Sequence, residues 1–231
     1  MSIFAKAQNS WVAVVLKKLF RAKIINPENE PDDTGAYIVC ANHSSNWDPV
    51  LIGACMHRPL RYMAKSELFK IPVLKTIIKQ FGAYPVNRGK ADVSSIKTAI
   101  NLLENGESVG MYPQGARVRG VHPKDVAPKN GAAMIALRAK VGVLPVTVIS
   151  KKHKMRMFHR TIVVFGKYIT YDELAADAGQ REINGMINNV NDVNDGGGVP
   201  PINRNMDLYK KATDKIYGEI VANYDRYDTL N

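Results

Sequence analysis

Cysteine and long apolar runs are the two features of which this chain has least. It carries two cysteines, Cys40 and Cys55, and both lie in apolar surroundings. Two cysteines cannot build a disulfide scaffold, so we expect buried free thiols in a reducing cytosol. No run of about 18 apolar residues exists, which excludes a conventional membrane-spanning helix. The apolar run Trp11 to Leu16 is too short to span, and we expect no secretory signal because the Lys/Arg cluster follows this run.

Acidic residues are also scarce relative to basic ones, and the imbalance calls for a partner of opposite charge. The 231 residues include 32 Lys and Arg against 21 Asp and Glu, a net charge of +11. Nucleic acid, an anionic membrane and a phosphorylated substrate are the candidate partners. The apolar fraction of 45% is ordinary for a globular protein and excludes a wholly disordered or collagenous chain.

Residues 1–24 form a basic, amphipathic segment. They contain five basic residues and no acid, and apolar side chains recur at helical spacing: Phe4, Trp11, Val12, Val15, Leu16, Leu19 and Phe20. The pattern predicts one helix over 1–24 that lies in a membrane interface. Periodicity alone leaves open a helix packed on its own domain.

The remaining residues, 25–231, alternate short apolar runs with helical patterns. This alternation predicts a single α/β domain with a mixed, mostly parallel sheet flanked by helices. We expect strands at 36–41, 60–63, 81–86, 108–112, 143–149 and 161–165, and helices at 49–55, 65–80, 92–105, 131–139 and 206–224. Asn, Gly and Pro dominate residues 184–205, which predicts a flexible insertion.

A histidine and an aspartate lie five residues apart in the segment Asn42-His43-Ser44-Ser45-Asn46-Trp47-Asp48. The segment follows a predicted buried strand and precedes a helix, so a loop can fold His43 back over the Asp48 carboxylate. A carboxylate on one imidazole nitrogen fixes the tautomer and makes the other nitrogen a general base. Two simpler interpretations stay open: Asp48 as a helix N-cap and His43 as an ordinary loop histidine.

Two arginines, Arg88 and Arg117, each follow a predicted strand. Ligands of α/β sheets bind at such strand ends, and guanidinium groups suit a phosphate. Each arginine alone could equally be a solvated surface residue.

These motifs, taken in order, resemble those of the lysophosphatidic acid acyltransferases, the glycerolipid acyltransferase family. Residues 42–48 match the family's Asn-His-x-x-x-x-Asp box fully, and residues 82–88 match a second box that ends in arginine. Residues 112–117 match Phe-Pro-Glu-Gly-Thr-Arg in part, and residues 144–146 match a proline in an apolar strand. Residues 129–133 resemble the Lys-x-Gly helix start, and residues 64–68 resemble the Lys-x-Glu-Leu segment. The resemblance covers about residues 35–170.

The resemblance implies acyl transfer from a thioester of coenzyme A or acyl-carrier protein to 1-acyl-glycerol 3-phosphate, giving phosphatidic acid in phospholipid biosynthesis. It needs no metal or other cofactor. The implied roles are catalysis for His43 and Asp48, phosphate binding for Arg88, Arg117 and Lys65, and acceptor positioning for Asn42, Gln114 and Gly115. The implied location is peripheral, at the cytoplasmic face of an anionic membrane.

Two positions depart from the family pattern. Gln114 stands where the family has Glu, and Ala116 where it has Thr. Glutamine keeps the shape but loses the charge. A different acceptor, such as glycerol 3-phosphate or another lysophospholipid, or an inactive lipid-binding relative therefore remains an alternative.

Residues 151–160 carry five Lys and Arg between two predicted strands. This segment could be a solvated hairpin tip, or it could contact anionic lipid headgroups through its basic and apolar side chains. We do not expect nucleic acid as the partner, because no nucleic-acid-binding motif accompanies the charge.

Overall fold

Seven strands form one sheet in the computed structural model, which describes residues 11–32, 35–72, 75, 78–79, 82–86, 93–178 and 206–229. The strands are β1 (Ala22–Ile25), β2 (Ile38–Ala41), β3 (Leu60–Lys65), β4 (Ala83–Val86), β5 (Ser108–Met111), β6 (Val143–Ser150) and β7 (Thr161–Phe165). Their order is β1-β7-β6-β2-β5-β3-β4, and neighbours are parallel except for β6 and β7. The predicted mostly parallel α/β sheet is confirmed.

Helices cover both faces of this sheet. Among the described residues they are α1 (Trp11–Leu19), α2 (Asp48–Cys55), α3 (Val93–Glu104), α4 (Gly131–Ala139), α5 (Tyr171–Ala178) and α6 (Met206–Tyr227). Helices α3 to α6 pack on one face, and α1 and α2 pack on the other. The central strands β2 and β6 are therefore buried along their whole length, which explains their unbroken apolar runs.

The predicted N-terminal helix is wrong at its C-terminal end. Helix α1 ends at Leu19, Arg21 adopts a left-handed φ of 42°, and Ala22–Ile25 pairs with β7 as strand β1. A left-handed residue cannot continue a helix, and the following isoleucines favour a strand. Residues 1–10 lie outside the described residues.

Helix α1 packs on its own domain and also exposes apolar side chains. Leu16 and, just after the helix, Phe20 are buried in the core, whereas Trp11, Val14 and Val15 are exposed. The alternative of a packed helix is therefore confirmed, although a second apolar face remains in solvent. No helix in the described part of the chain is both long and apolar enough to cross a membrane.

Other boundaries differ slightly from prediction. Helix α6 runs to residue 227, and α5 was not predicted. Of the predicted helix 65–80, Ser66–Lys70 forms a 3-10 turn, whereas the described residues 72, 75, 78 and 79 are helical. The predicted insertion at 184–205 lies outside the described residues. Cys40 and Cys55 are free and buried, as predicted, and burial raises the pKa of the Cys55 thiol to about 12.

Candidate active site

The Asp48 carboxylate binds the loop that follows β2 through several hydrogen bonds. Its Oδ2 atom accepts hydrogen bonds from His43 Nδ1 at 2.8 Å and from the backbone N–H groups of Ser44 and Ser45 at 2.7 Å each. Asp48 is fully buried, so these three donors replace the water that its charge would otherwise bind. Trp47, not Asp48, is the N-cap of α2 and makes no side-chain cap. The simple capping interpretation of Asp48 is therefore wrong.

This contact determines what the His43 imidazole can do. Because Nδ1 donates to Asp48, the proton belongs on Nδ1 and the lone pair on Nε2. Nε2 has no hydrogen-bond partner among the described residues, although His43 is only 8% exposed. The ring also stacks on Tyr112, with centroids 4.0 Å apart and planes 19° from parallel. The predicted His–Asp pair is thus assembled with a free basic nitrogen.

Backbone contacts fix His43 from the next loop along the sheet. Its N–H donates to Gln114 Oε1 at 2.5 Å, and its carbonyl accepts from Val118 N at 2.8 Å. The Tyr217 hydroxyl donates to Pro123 O at 2.9 Å and also contacts Gln114. Gln114 therefore links helix α6 to the backbone of the candidate base.

Asn42 and Gly115 have structural contacts of their own. The Asn42 amide donates to Val148 O and accepts from Val148 N, both at 2.8 Å, so it extends β2 onto β6. Gly115 has a left-handed φ of 72°, and a Cβ there would lie 2.7 Å from Lys129 Cδ. Asn42 and Gln114 also line a small pocket together with His43. That Asn42, Gln114 and Gly115 position the acceptor stays a prediction.

The predicted phosphate-binding residues lie along one edge of the sheet as far as they are described. Strands β2, β5 and β3 are parallel neighbours, so their carboxyl ends meet at one edge of the sheet. His43 and Arg117 come after the carboxyl ends of β2 and β5, and Lys65 is at the end of β3. Arg117 is exposed, and Lys65 closes β3. Arg88 lies outside the described residues, two positions beyond the end of β4.

Sequence reasoning missed two tyrosines and a lysine at the site. The hydroxyl groups of Tyr62 and Tyr112 are buried without a partner, as is Asp48 Oδ1. Burial first, and then neighbouring charge that includes Asp48, raises the pKa of both phenols, so they stay protonated. Lys129, which the sequence marked only as part of the Lys-x-Gly helix start, lies over Gly115. The sequence signal for Tyr112 was its place directly before Pro113 in the third box.

Comparison with known proteins identifies the family. The Acyltransferase family model matches residues 21–149. The chain therefore belongs to the acyltransferase family and is an enzyme of that type.

Two bacterial relatives carry the same name, 1-acyl-sn-glycerol-3-phosphate acyltransferase. The protein of Bacillus subtilis is 36% identical over 153 residues, which cover 62% of this chain and 74% of that protein. The protein of Streptococcus pneumoniae is 39% identical over 124 residues, which cover 53% of this chain and 45% of that protein. The crystal structure of the 1-acyl-sn-glycerophosphate (LPA) acyltransferase from Thermotoga maritima superposes with a TM-score of 0.58 at 24% identity, covering 84% of each chain. That likeness supports the fold.

Proposed function

We propose that this chain transfers a fatty acyl group from an acyl thioester to the free hydroxyl of 1-acyl-glycerol 3-phosphate, giving phosphatidic acid for phospholipid synthesis. The observation that carries the proposal is the His43–Asp48 pair at 2.8 Å with Nε2 left free. The names of the two bacterial relatives supply the substrate class.

The thioester is already activated, so the donor needs no further activation. The reaction does need a base that takes the proton of the acceptor hydroxyl. His43 Nε2 takes the proton of the acceptor hydroxyl while that oxygen attacks the thioester carbon. A C–O bond forms and the C–S bond breaks, and the proton passes from His43 to the departing sulfur. Asp48 holds the imidazole in the required tautomer and stabilises its protonated form. Atoms and charge balance without a metal or a further cofactor. The donor is the thioester of coenzyme A or of acyl-carrier protein.

The acceptor phosphate would bind at the same edge of the sheet. Arg117 is exposed there, beside the Gly115–Lys129 contact, and Arg88 and Lys65 complete the proposed set. Guanidinium groups bind phosphate through paired, charge-assisted hydrogen bonds. Arg117→Ala should therefore raise the acceptor KM about tenfold and leave the donor KM nearly unchanged.

The proposed location is peripheral, at the anionic cytoplasmic face of a membrane. Trp11, Val14 and Val15 form an exposed apolar face on α1, and Lys18 lies on the same side of the helix. A helix that is apolar on two faces needs a second apolar environment besides its own core.

An acceptor panel tests the function. Purified full-length protein receives an acyl thioester of coenzyme A or of acyl-carrier protein, and thiol release is measured with each acceptor. We expect release with 1-acyl-glycerol 3-phosphate and much less with glycerol 3-phosphate or lysophosphatidylcholine. Faster release with either of these would assign a different acceptor, and no release with any acceptor or donor would support an inactive lipid-binding relative.

A further inference from the structure

The 151–160 segment, defined as residues 151–160, connects β6 to β7. It lies at the edge of the sheet where His43 is found. Strands β6 and β2 are parallel, so this segment and the His43 loop follow neighbouring carboxyl ends. The backbone N–H of Gly120, in the loop beyond Arg117, donates to His153 O at 3.0 Å. The 151–160 segment is therefore joined directly to the candidate active site.

The conformation of Phe158 is costly for an exposed residue. Its φ of 62° is in the left-handed region, which bulky side chains rarely adopt, and its side chain is 72% exposed. Its backbone N–H donates to Leu19 O at 2.6 Å, at the end of α1. The fold thus holds the main chain and leaves the aromatic ring in water. The main chain therefore holds an aromatic side chain at the surface, where it is available for a contact outside the chain.

Basic residues flank Phe158 within the 151–160 segment, and the segment contains no acidic residue. Lys151, Arg156 and Arg160 are exposed, and Met157 is 38% exposed beside Phe158. Neither residues 11–25 nor residues 151–165 contain an Asp or Glu. The hydrogen bond from Phe158 to Leu19 places this group next to α1, where Lys18 and Arg21 are also exposed.

We propose that the 151–160 segment is a second contact with an anionic lipid bilayer, which acts together with the exposed face of α1. Aromatic and aliphatic side chains enter the interface, and the arginines bind the lipid headgroups. Two separate elements that each carry exposed apolar and basic side chains suit an extended anionic surface. This contact brings the His43 edge of the sheet to the bilayer that holds the acceptor. The inference rests on the proposed peripheral location.

Vesicle binding of the full-length protein tests the inference, with controls at the opposite edge of the sheet. The test variants are Phe158→Ser and the double variant Arg156→Gln/Arg160→Gln. The controls are Met206→Ser and Lys210→Gln/Lys211→Gln, which remove the same kinds of exposed group. Tyr224 contacts His153, so the start of α6 lies about 27 Å along the helix from that edge.

The test variants should bind phosphatidylglycerol vesicles more weakly, by about thirtyfold for the double arginine variant, and the controls should bind normally. All four should keep their rate on detergent-dispersed acceptor. Equal binding by test and control variants would overturn the inference. Normal vesicle binding combined with loss of acyl-carrier-protein use would overturn it in favour of a carrier-protein site. If the wild-type protein transfers no acyl group in detergent, the proposed function fails, whereas vesicle binding still decides the inference.

Discussion

At the scale of single residues, one carboxylate oxygen organises the site. Asp48 Oδ2 accepts from His43 and from two consecutive backbone N–H groups, so the loop and the imidazole share one anchor. The spacing of His43 and Asp48 between a strand and a helix predicted this pairing. The contacts of His43 with Tyr112 and Gln114 were not predictable in the same way, since they join segments about 70 residues apart. Only the pairing of β2 with β5 brings those segments together.

Gln114→Glu tests whether Gln114 serves the acceptor or the protein. Gln114 is buried, its Oε1 atom accepts from the His43 N–H, and its side chain lies close to the Tyr217 hydroxyl. A carboxylate could still accept from His43, but its charge would be buried. We expect a loss of about 1–3 kcal/mol in the free energy of unfolding, measured with urea, and a nearly unchanged acceptor KM. A lower acceptor KM at unchanged stability would instead indicate that a charge at this position contacts the acceptor.

At the scale of elements, α1 shows why periodicity could not decide between core and membrane. The buried Leu16 and Phe20 and the exposed Trp11 and Val15 all contribute to one apolar pattern. A sequence pattern records that a side chain is apolar but not which of two surroundings receives it. The strand Ala22–Ile25 was hidden for a related reason, because its isoleucines continue the same apolar pattern.

Mutations on the two faces of α1 should have different effects, one on stability and the other on vesicle binding. Leu16→Ala should lower the free energy of unfolding by about 2–4 kcal/mol, because it removes a buried side chain from the core. Trp11→Ser should change stability little and weaken vesicle binding. Urea unfolding and vesicle sedimentation measure the two effects. A large loss of stability in Trp11→Ser, with vesicle binding intact, would contradict this division. Deleting residues 1–22 should unfold the domain, since it removes Leu16 and Phe20 together.

Helix α5 begins with a capping box that the sequence contained. Thr170 Oγ1 accepts from Glu173 N at 3.2 Å, and Glu173 Oε2 accepts from Thr170 N at 2.8 Å. The Thr-x-x-Glu spacing was a usable signal, but the helix has only eight residues and a weak apolar pattern. A short helix of this kind depends on its cap and on packing against α6.

Removing the capping hydrogen bond of Thr170 should have a measurable effect on the free energy of unfolding. Thr170→Ala should lower the free energy of unfolding by about 1 kcal/mol, whereas Thr170→Ser should keep most of it. The hydrogen bond from Thr170 lowers the pKa of Glu173, so its contribution is present above the pKa of an unfolded glutamate and disappears as the pH falls. Urea unfolding at neutral and acidic pH measures both effects. Equal stability of the alanine and serine variants at neutral pH would argue against the capping box.

At the scale of the whole molecule, parallel strand order gathers distant motifs at one edge. The alternation of strands and helices predicted the sheet, yet it could not give the strand order or the antiparallel placement of β7. That order decides which loops meet. It brings the loops after β2, β5 and β6 together, so the His43–Asp48 pair, Arg117 and the 151–160 segment share an edge.

We propose His43 as the base of the acyl transfer, and His57 provides a matched control within the same chain. His57 pairs with Glu30 at 3.2 Å, but its side chain is 71% exposed and it lies just before β3, at the other edge of the sheet. Both histidines thus contact a carboxylate, and only His43 lies at the candidate active site.

The decisive measurement is the turnover number of purified, folded His43→Ala and His57→Ala with an acyl thioester and 1-acyl-glycerol 3-phosphate in detergent. His43→Ala should turn over about 10²–10⁴ times more slowly than the wild type, the usual contribution of a general base, and His57→Ala should retain its rate. A folded His43→Ala protein that works at close to the wild-type rate would contradict the account.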